Sequence, residues 1–515
     1  MTDPRAPTAR GGTLHGGLGV RTGRWSPRGG LHIRGSGPPT EVGAVVRGGI
    51  FPVEPGDTGR PARTVSRVPA SAARTRRPTG PRPDTGRARL RGVAELTAVE
   101  ARVLDAVDDG WLLERLAALV AVPSVGGSAA ESEAQHVVAG WLDGLGADVD
   151  RWPIDLAAAA AAEDAPGQEV LREEAWGVVG TVPGTDGGTP ALVLSGHTDV
   201  VPAGDPAGWP GDPFLPRLAA GRLHGRGSCD MKGGLVAALG AVAAVRAAGV
   251  RLVRPLAVHS VVGEEDGGLG AWATLARGHR GDACVIGEPT AGTVMTASAG
   301  ALTFRLTVTG LAAHGAMRDA GVSAITLFEH VHAALREFEA ARQEGTAGRF
   351  AGTDLPYGLS VGRLRAGDWA STVPERLVAD GRYGVRVGEP VAHARAAFEA
   401  TVARACAADP WLAAHPATVE WVGGSFASGR LPAGSPLLPA VQQAAVDAGG
   451  PRPPESAVPA GTDLRLYAAA GIPTLHLGPG DLRLAHGPAE SVPVAEVGHV
   501  ARTLALTALR TCGVA

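Results

Sequence analysis

The sequence predicts an α/β fold interrupted by an inserted α+β domain. Three observations predict it. Between residues 93 and 298, apolar runs that end in polar residues alternate with helical patterns, the signature of a sheet with both faces covered. Around Ala299 the texture changes to strands of alternating character, which suit a sheet with one open face. After residue 425, and clearly from about Ser435, the first texture returns.

The elements follow in order. Residues 1–92 are rich in Gly, Pro, Arg and Thr and carry no helical or strand period, so they are read as a disordered arm. "AELTAVEARVLDAVDDGWLLERLAALVAV" and "EAQHVVAGWLDGLGA" repeat apolar residues at helical spacing. "VVGTVPG" and "ALVLSGHTDVV" read as strands, and "MKGGLVAALGAVAAVRAAG" as a long Ala-rich helix. "RPLAVHSVVGEEDGG" and "DACVIGEPT" are apolar strands that end in acids. In the insert, residues 299–424, the order is strand, helix, strand, strand, helix, strand. Its pieces are "ALTFRLTVTG", a helix near 323–343, "YGLSVGRLRAG", "ERLVADGRYGVRV", a helix near 391–407, and "ATVEWVGG". "SPLLPAVQQAAVDAG" and "IPTLHLGPG" then resume the α/β pattern, and no internal repeat is visible.

The totals narrow the function classes. A chain of 515 residues with 44% apolar content has room for two or three domains and a sizeable core. No uninterrupted apolar run is long enough to span a bilayer, so no membrane role is expected. The four cysteines are scattered and read as free thiols of a cytoplasmic protein. The arm carries 17 Arg and 5 acids, a charge of +12, against −3 for the whole chain, which leaves the body at −15. A basic arm can touch nucleic acid, but this one has no recognisable binding fold and few aromatics, so that role is not expected. Lys232 is the only lysine beside 47 arginines, which marks its neighbourhood as chemically demanding.

The polar residues at the strand ends carry the chemistry. "GHTD" supplies His197 and Asp199, "GRGSCDMKGG" supplies Asp230, "GEEDGG" supplies Glu264 and Glu265, "GEPT" supplies Glu288, and "LAHGPAE" supplies His486. Imidazole and carboxylate are the usual donors for catalytic zinc or a related divalent ion. Two His and three carboxylates can hold two ions if one carboxylate bridges them. Adjacent glutamates repel, so the pair in "GEEDGG" makes sense if one acid binds metal while the other moves a proton. Asp199 lies two residues beyond His197, on the same face of an extended strand, where its carboxylate would accept the second ring N–H. Each residue alone is a weak signal, since a lone His at a strand end is usually structural and a lone Asp in a Gly-rich turn usually forms the turn. Their joint order along the chain is the strong one.

With these motifs the sequence resembles the M20-type metallohydrolases, a group that includes acetylornithine deacetylase, succinyl-diaminopimelate desuccinylase, aminoacylase and glutamate carboxypeptidases. The resemblance covers roughly residues 100 to 515. It also rests on "TGLAAHGAMRDAGVSAI" and "GTDLRLYAAAGIPTLHLGPGDLRLAHGPAE". It implies a zinc-hydrolase catalytic domain with a ferredoxin-like lid and dimerisation domain, hence a homodimer. It further implies two divalent metal ions, zinc first, with cobalt or manganese as alternatives. Asp230 would bridge them, His197 and Glu288 would complete one site, and Glu265 and His486 the other. Glu264 would be the general acid/base, Asp199 would support His197, and His314 would reach the substrate or its oxyanion from the lid, in some members in the partner's site. A cis peptide often follows the bridging aspartate, here Asp230–Met231. Two departures stand out. Gly315 follows His314 where a small polar residue is common, and Ser371 and Thr372 precede Val373 where an asparagine is usual. The implied reaction is deacylation of an N-acyl amino acid, as by acetylornithine deacetylases, with dipeptide or carboxypeptidase cleavage as the alternative. Arg386, Arg465 and Arg483 are candidate anchors for a substrate carboxylate.

Overall fold

The computed structural model describes residues 96–162, 164–346, 350 and 353–515. The basic arm, and with it the nucleic-acid question, lies outside the described residues. The first helical pattern is two helices, Ala98–Asp105 and Asp109–Val120. The break falls at Asp108, whose carboxylate accepts the N–H groups of Gly110 and Trp111 and so caps a new helix. Spacing of apolar residues does not register such a stop.

The larger sheet is mixed. Its order is Asp148–Pro153, Trp176–Val182, Leu256–Val261, Leu192–His197, Cys284–Ile286, Thr474–His476, Val294–Ser298 and Gly429–Arg430, with Glu455–Val458 paired to Val294–Ser298 off that path. The three central strands Leu256–Val261, Leu192–His197 and Cys284–Ile286 run parallel and are buried along their whole length. This is why they read as continuous apolar runs. Their carboxyl ends therefore release His197, the "GEEDGG" turn and the "GEPT" turn at one edge of the sheet, where open α/β sheets build their sites.

The helix Gly233–Ala247 packs against this sheet and against the C-terminal helix Val494–Cys512. With the preceding turn it forms a stretch, Ser228–Ala247, long and apolar enough by composition to cross a bilayer. Its apolar window is 94% buried, so its side chains are spent on the core. Gly234 lets the helix lie directly on the Gly287 carbonyl, since a Cβ there would collide with that oxygen.

The insert is a four-stranded antiparallel sheet ordered Leu359–Ala366, Arg376–Val385, Gly300–Thr309, Thr418–Phe426. Strand Gly300–Thr309 alternates strictly. Leu302, Phe304, Leu306 and Val308 are buried with side chains from the helices Ala324–Arg342 and Val391–Ala407. Thr303 and Arg305 point to the opposite, open face, which is lined by residues of the catalytic half. The fold is thus an α/β catalytic domain with an inserted α+β lid.

Candidate active site

Five of the metal-ligand candidates converge at the carboxyl ends of the parallel strands. His197 Nε2 lies 3.4 Å from Asp230 Oδ1 and 3.9 Å from Glu288 Oε1. His486 Nε2 lies 3.1 Å from Glu265 Oε2 and 3.5 Å from Asp230 Oδ2. Asp230 thus stands between the two histidines. Ligand-type atoms of His197, Asp230 and Glu265 lie within 4.8 Å of one another, and so do those of His197, Glu264 and Glu288. Glu264 is therefore as close to the cluster as a ligand would be. The Asp230–Met231 peptide is cis.

The electrostatics are those of a cation site. Burial lifts Glu264 and Glu288 well above the ordinary carboxylate range, and the charge of Glu288 adds to this at Glu264, that of Asp230 at Glu288. Burial and the Asp230 charge raise Glu265 too. At Asp230 burial pushes upward as well, but His197 and His486 outweigh it and hold the carboxyl far below its usual value. Burial would lower His486, yet Asp230 and Glu265 push it up to about 11. His197 Nε2 and Glu264 Oε1 are buried without a hydrogen-bond partner, although buried polar atoms normally have one. Two imidazoles, four clustered carboxylates and these orphaned atoms fit divalent metal ions.

The structure corrects several sequence expectations. The His197 ring is held by the wrong part of Asp199: Nδ1 donates to the Asp199 carbonyl at 2.9 Å, with the carboxylate 3.7 Å away. The regular strand ends at His197, so the same-face rule of an extended strand does not carry over to Asp199. The Asp199 carboxylate instead accepts the Glu265 N–H at 3.1 Å. It fastens the segment that carries His197 to the one that carries Glu265.

His314 does not join the cluster of its own chain, which leaves the partner's site that the resemblance also allows. It is exposed, caps the turn Gly315–Ala320 and does not line the cavity that holds the acids. The reason is strand length. Thr303 lines that cavity, and strand Gly300–Thr309 carries the chain onward by about 3.3 Å per residue, roughly 20 Å by Thr309.

None of the three candidate arginines lines the cavity either. Arg386 donates to the carbonyls of Ala341 and Arg342, Arg465 to those of Thr462 and Gly267, and Arg483 pairs with Asp481 on the surface. The cavity, of about 720 Å³, has the acids on one wall and Arg305, Arg363 and Arg382 of the lid sheet on the other. Arg305 and Arg363 both pair with Asp380. Arg382 donates to the Pro459 carbonyl at 2.9 Å and, among the described residues, forms no ion pair. Burial lowers its pKa, but a guanidinium keeps its charge. Strand alternation puts Asp380 and Arg382 on the same open face, and that was the available signal.

Other residues were also missed. Glu490 accepts the N–H groups of Cys229 and Asp230, at 3.2 Å each, and pairs with buried Arg226, so it fixes the backbone that presents Asp230. Asp463 is buried beside the site with neither carboxylate oxygen hydrogen-bonded, the Arg465 guanidinium standing 3.9 Å away, and burial raises it to about 6. Both lie in motifs already singled out, "HGPAE" and "GTD". Lys232 reaches back to the Leu119 and Val122 carbonyls, at 3.0 and 2.9 Å, so its part is to tie the end of helix Asp109–Val120 to the Asp230 turn. Burial brings its pKa down to about 7.

An open α/β sheet with clustered acids and histidines at its strand ends, under an arginine-bearing lid, defines a metal-dependent hydrolase. A model of peptidase family M20/M25/M40 matches residues 193–510, and the chain belongs to that family of hydrolases, which act on amide and peptide bonds. It is similar to a succinyl-diaminopimelate desuccinylase of Methylobacterium sp. (strain 4-46), 41% identical over 143 residues. That match spans 25% of this chain and 35% of the relative, so it covers about a third of that enzyme's length. An N-formyl-4-amino-5-aminomethyl-2-methylpyrimidine deformylase of Halalkalibacterium halodurans is 26% identical over 76% of this chain and 92% of its own length. Among solved structures, a di-peptidase of Saccharomyces cerevisiae matches 80% of this chain and 98% of its own with a TM-score of 0.64 at 14% identity, a likeness of fold alone.

Proposed function

We propose that this protein removes the acyl group from an N-acyl amino acid. One observation carries the reading: one cavity sets the acid cluster against the Arg382 guanidinium, which among the described residues forms no ion pair. A substrate with an amide at one end and a carboxylate at the other suits those two walls. His197, Asp230 and Glu288 would hold one divalent ion, and Asp230, Glu265 and His486 a second. Bound there, zinc, or cobalt or manganese in its place, would supply the Lewis acidity that polarises the scissile carbonyl. Glu264, raised by burial, takes a proton from the attacking water as the C–O bond forms. It delivers that proton to the amine nitrogen as the C–N bond breaks. The Asp199 carbonyl keeps the His197 ring in the orientation that aims Nε2 at the cluster. Arg382 orients the substrate by its carboxylate.

A lid dimer is part of this reading. His314 is exposed at the far end of the lid, beside exposed Leu311 and Met317, so a second copy of the chain is the surface it would serve. Dipeptide cleavage is the alternative, since a dipeptide offers the same amide and carboxylate. The test is amine release from N-acetyl, N-formyl and N-succinyl amino acids and from simple dipeptides. The protein is first stripped of metal and then refilled with Zn²⁺, Co²⁺ or Mn²⁺. Metal-dependent turnover of the acyl amino acids is expected. Turnover of dipeptides alone would move the assignment to a dipeptidase.

A further inference from the structure

Residues 166–172 belong to the long stretch between the first two strands; Gln168, Glu169 and Val170 line the cavity, but no step above uses them. They meet the Gly263–Gly268 turn, which carries Glu264 and Glu265, at both side-chain and backbone level. The Arg172 guanidinium is wholly buried between Glu131 and Asp266. Its Nε and Nη2 donate to Glu131 at 2.9 and 3.0 Å, and its Nη1 and Nη2 donate to Asp266 at 2.9 and 2.7 Å. Glu131 Oε1 in turn accepts the Gly263 N–H at 3.0 Å. Asp266 Oδ2 accepts the N–H groups of Glu169 and Val170, at 3.1 Å each.

These bonds hold the turn on both sides of the two glutamates, at Gly263 and at Asp266. The third acid of "GEED" is thus a handle for the turn. The backbones also touch: a Cβ on Gly267 would collide with the Gly167 carbonyl oxygen. The same segment reaches the lid. The Pro166 carbonyl accepts the Ser425 N–H at 3.0 Å, and the Glu169 carboxylate accepts the Thr303 hydroxyl. Thr303 stands on the lid strand that carries Arg305.

We propose that residues 166–172 form a positioning strap. Arg172 sets the conformation in which the turn presents Glu264 and Glu265, and Pro166 and Glu169 register that turn against the lid wall. The inference rests on the reading of Glu265 as a metal ligand. A clamp that served stability alone would change the unfolding temperature and leave the affinity for metal where it was.

The experiment titrates Zn²⁺ into metal-free wild type, Arg172→Lys and Asp266→Asn by calorimetry, with thermal unfolding of each metal-free protein alongside. Lysine keeps the charge but loses the fork that grips two carboxylates. Asparagine keeps the size and one oxygen for the two N–H groups. Loss of partners that orient ligands usually weakens metal binding by about 10–100-fold, and at least a ten-fold loss is expected in both variants. With a substrate, Arg172→Lys should lower kcat and leave KM within about two-fold, because Arg382 is untouched. Should Arg172→Lys fail to fold, Asp266→Asn decides. Variants that bind Zn²⁺ like the wild type, whatever their unfolding temperature, overturn the strap alone. A wild type that takes up no Zn²⁺ overturns the metal reading, and the strap with it.

Discussion

The two walls of the cavity are each organised around an ion triad, and the triads are mirror images in charge. In the catalytic half one arginine, Arg172, lies between two acids, Glu131 and Asp266. In the lid one acid, Asp380, lies between two arginines, Arg305 and Arg363. The difference is burial. The Arg172 side chain is 0% exposed, whereas those of Arg305 and Arg363 are 39% and 72% exposed. A buried pair broken on one side leaves an uncompensated charge, while an exposed pair broken on one side leaves a hydrated one. The catalytic wall is consequently rigid and intolerant, and the lid wall can change its charges at little cost.

Breaking the catalytic wall at its reactive group should have the largest effect. Glu264→Ala is expected to reduce kcat by about 10²–10⁴-fold while the metal stays bound, because positioned proton transfer contributes on that scale. Retained turnover in a metal-loaded variant would remove Glu264 from the mechanism.

Next in size is an effect of pH on stability. His259 and His476 are buried in the catalytic half, and burial lowers them to about 3 and about 4. Between those values and the usual 6.5, the unfolded chain binds protons that the folded chain refuses. The stability that each of these histidines contributes therefore falls as pH drops below about 6.5, by roughly 2 kcal/mol at pH 5. The raised acids of the site act in the opposite sense, so the measurement is the difference in urea unfolding between wild type and His476→Gln at pH 7 and at pH 5, and a difference that does not shift by that amount would contradict neutral burial. Asp380 in the lid behaves differently. The hydrogen bond from Arg305 holds it below the usual carboxylate range, so its small contribution is lost only as pH falls through that depressed value.

Arg382→Met should raise KM for a carboxylate-bearing substrate by about 10–100-fold, the worth of a charge-assisted hydrogen bond, with kcat less affected. The same variant should barely change KM for the matching amide, and an equal loss on both would show that Arg382 does not read the carboxylate. The smallest effect is expected at Arg363→Ala. An exposed ion pair is worth about 0–1 kcal/mol, so the unfolding midpoint should hardly move.

The sequence by itself picked out the acids and histidines that the fold brings together at the strand ends. His197, Asp230, Glu264, Glu265, Glu288 and His486 were legible because each follows an apolar run or sits in a Gly-rich turn, and local pattern reports local structure. The α/β frame and the inserted lid were legible for the same reason. Tertiary structure alone decided which groups face one another. In a chain with 47 arginines no local signal separates Arg382, which lines the cavity, from Arg386, four residues on, which donates to carbonyls of a helix. It turned Asp199 so that its carbonyl meets His197 and its carboxylate meets Glu265. It joined Glu131, Arg172 and Asp266, which are 41 and 94 residues apart along the chain. Such pairings depend on how distant segments pack, and the spacing of residues within a segment carries no record of that.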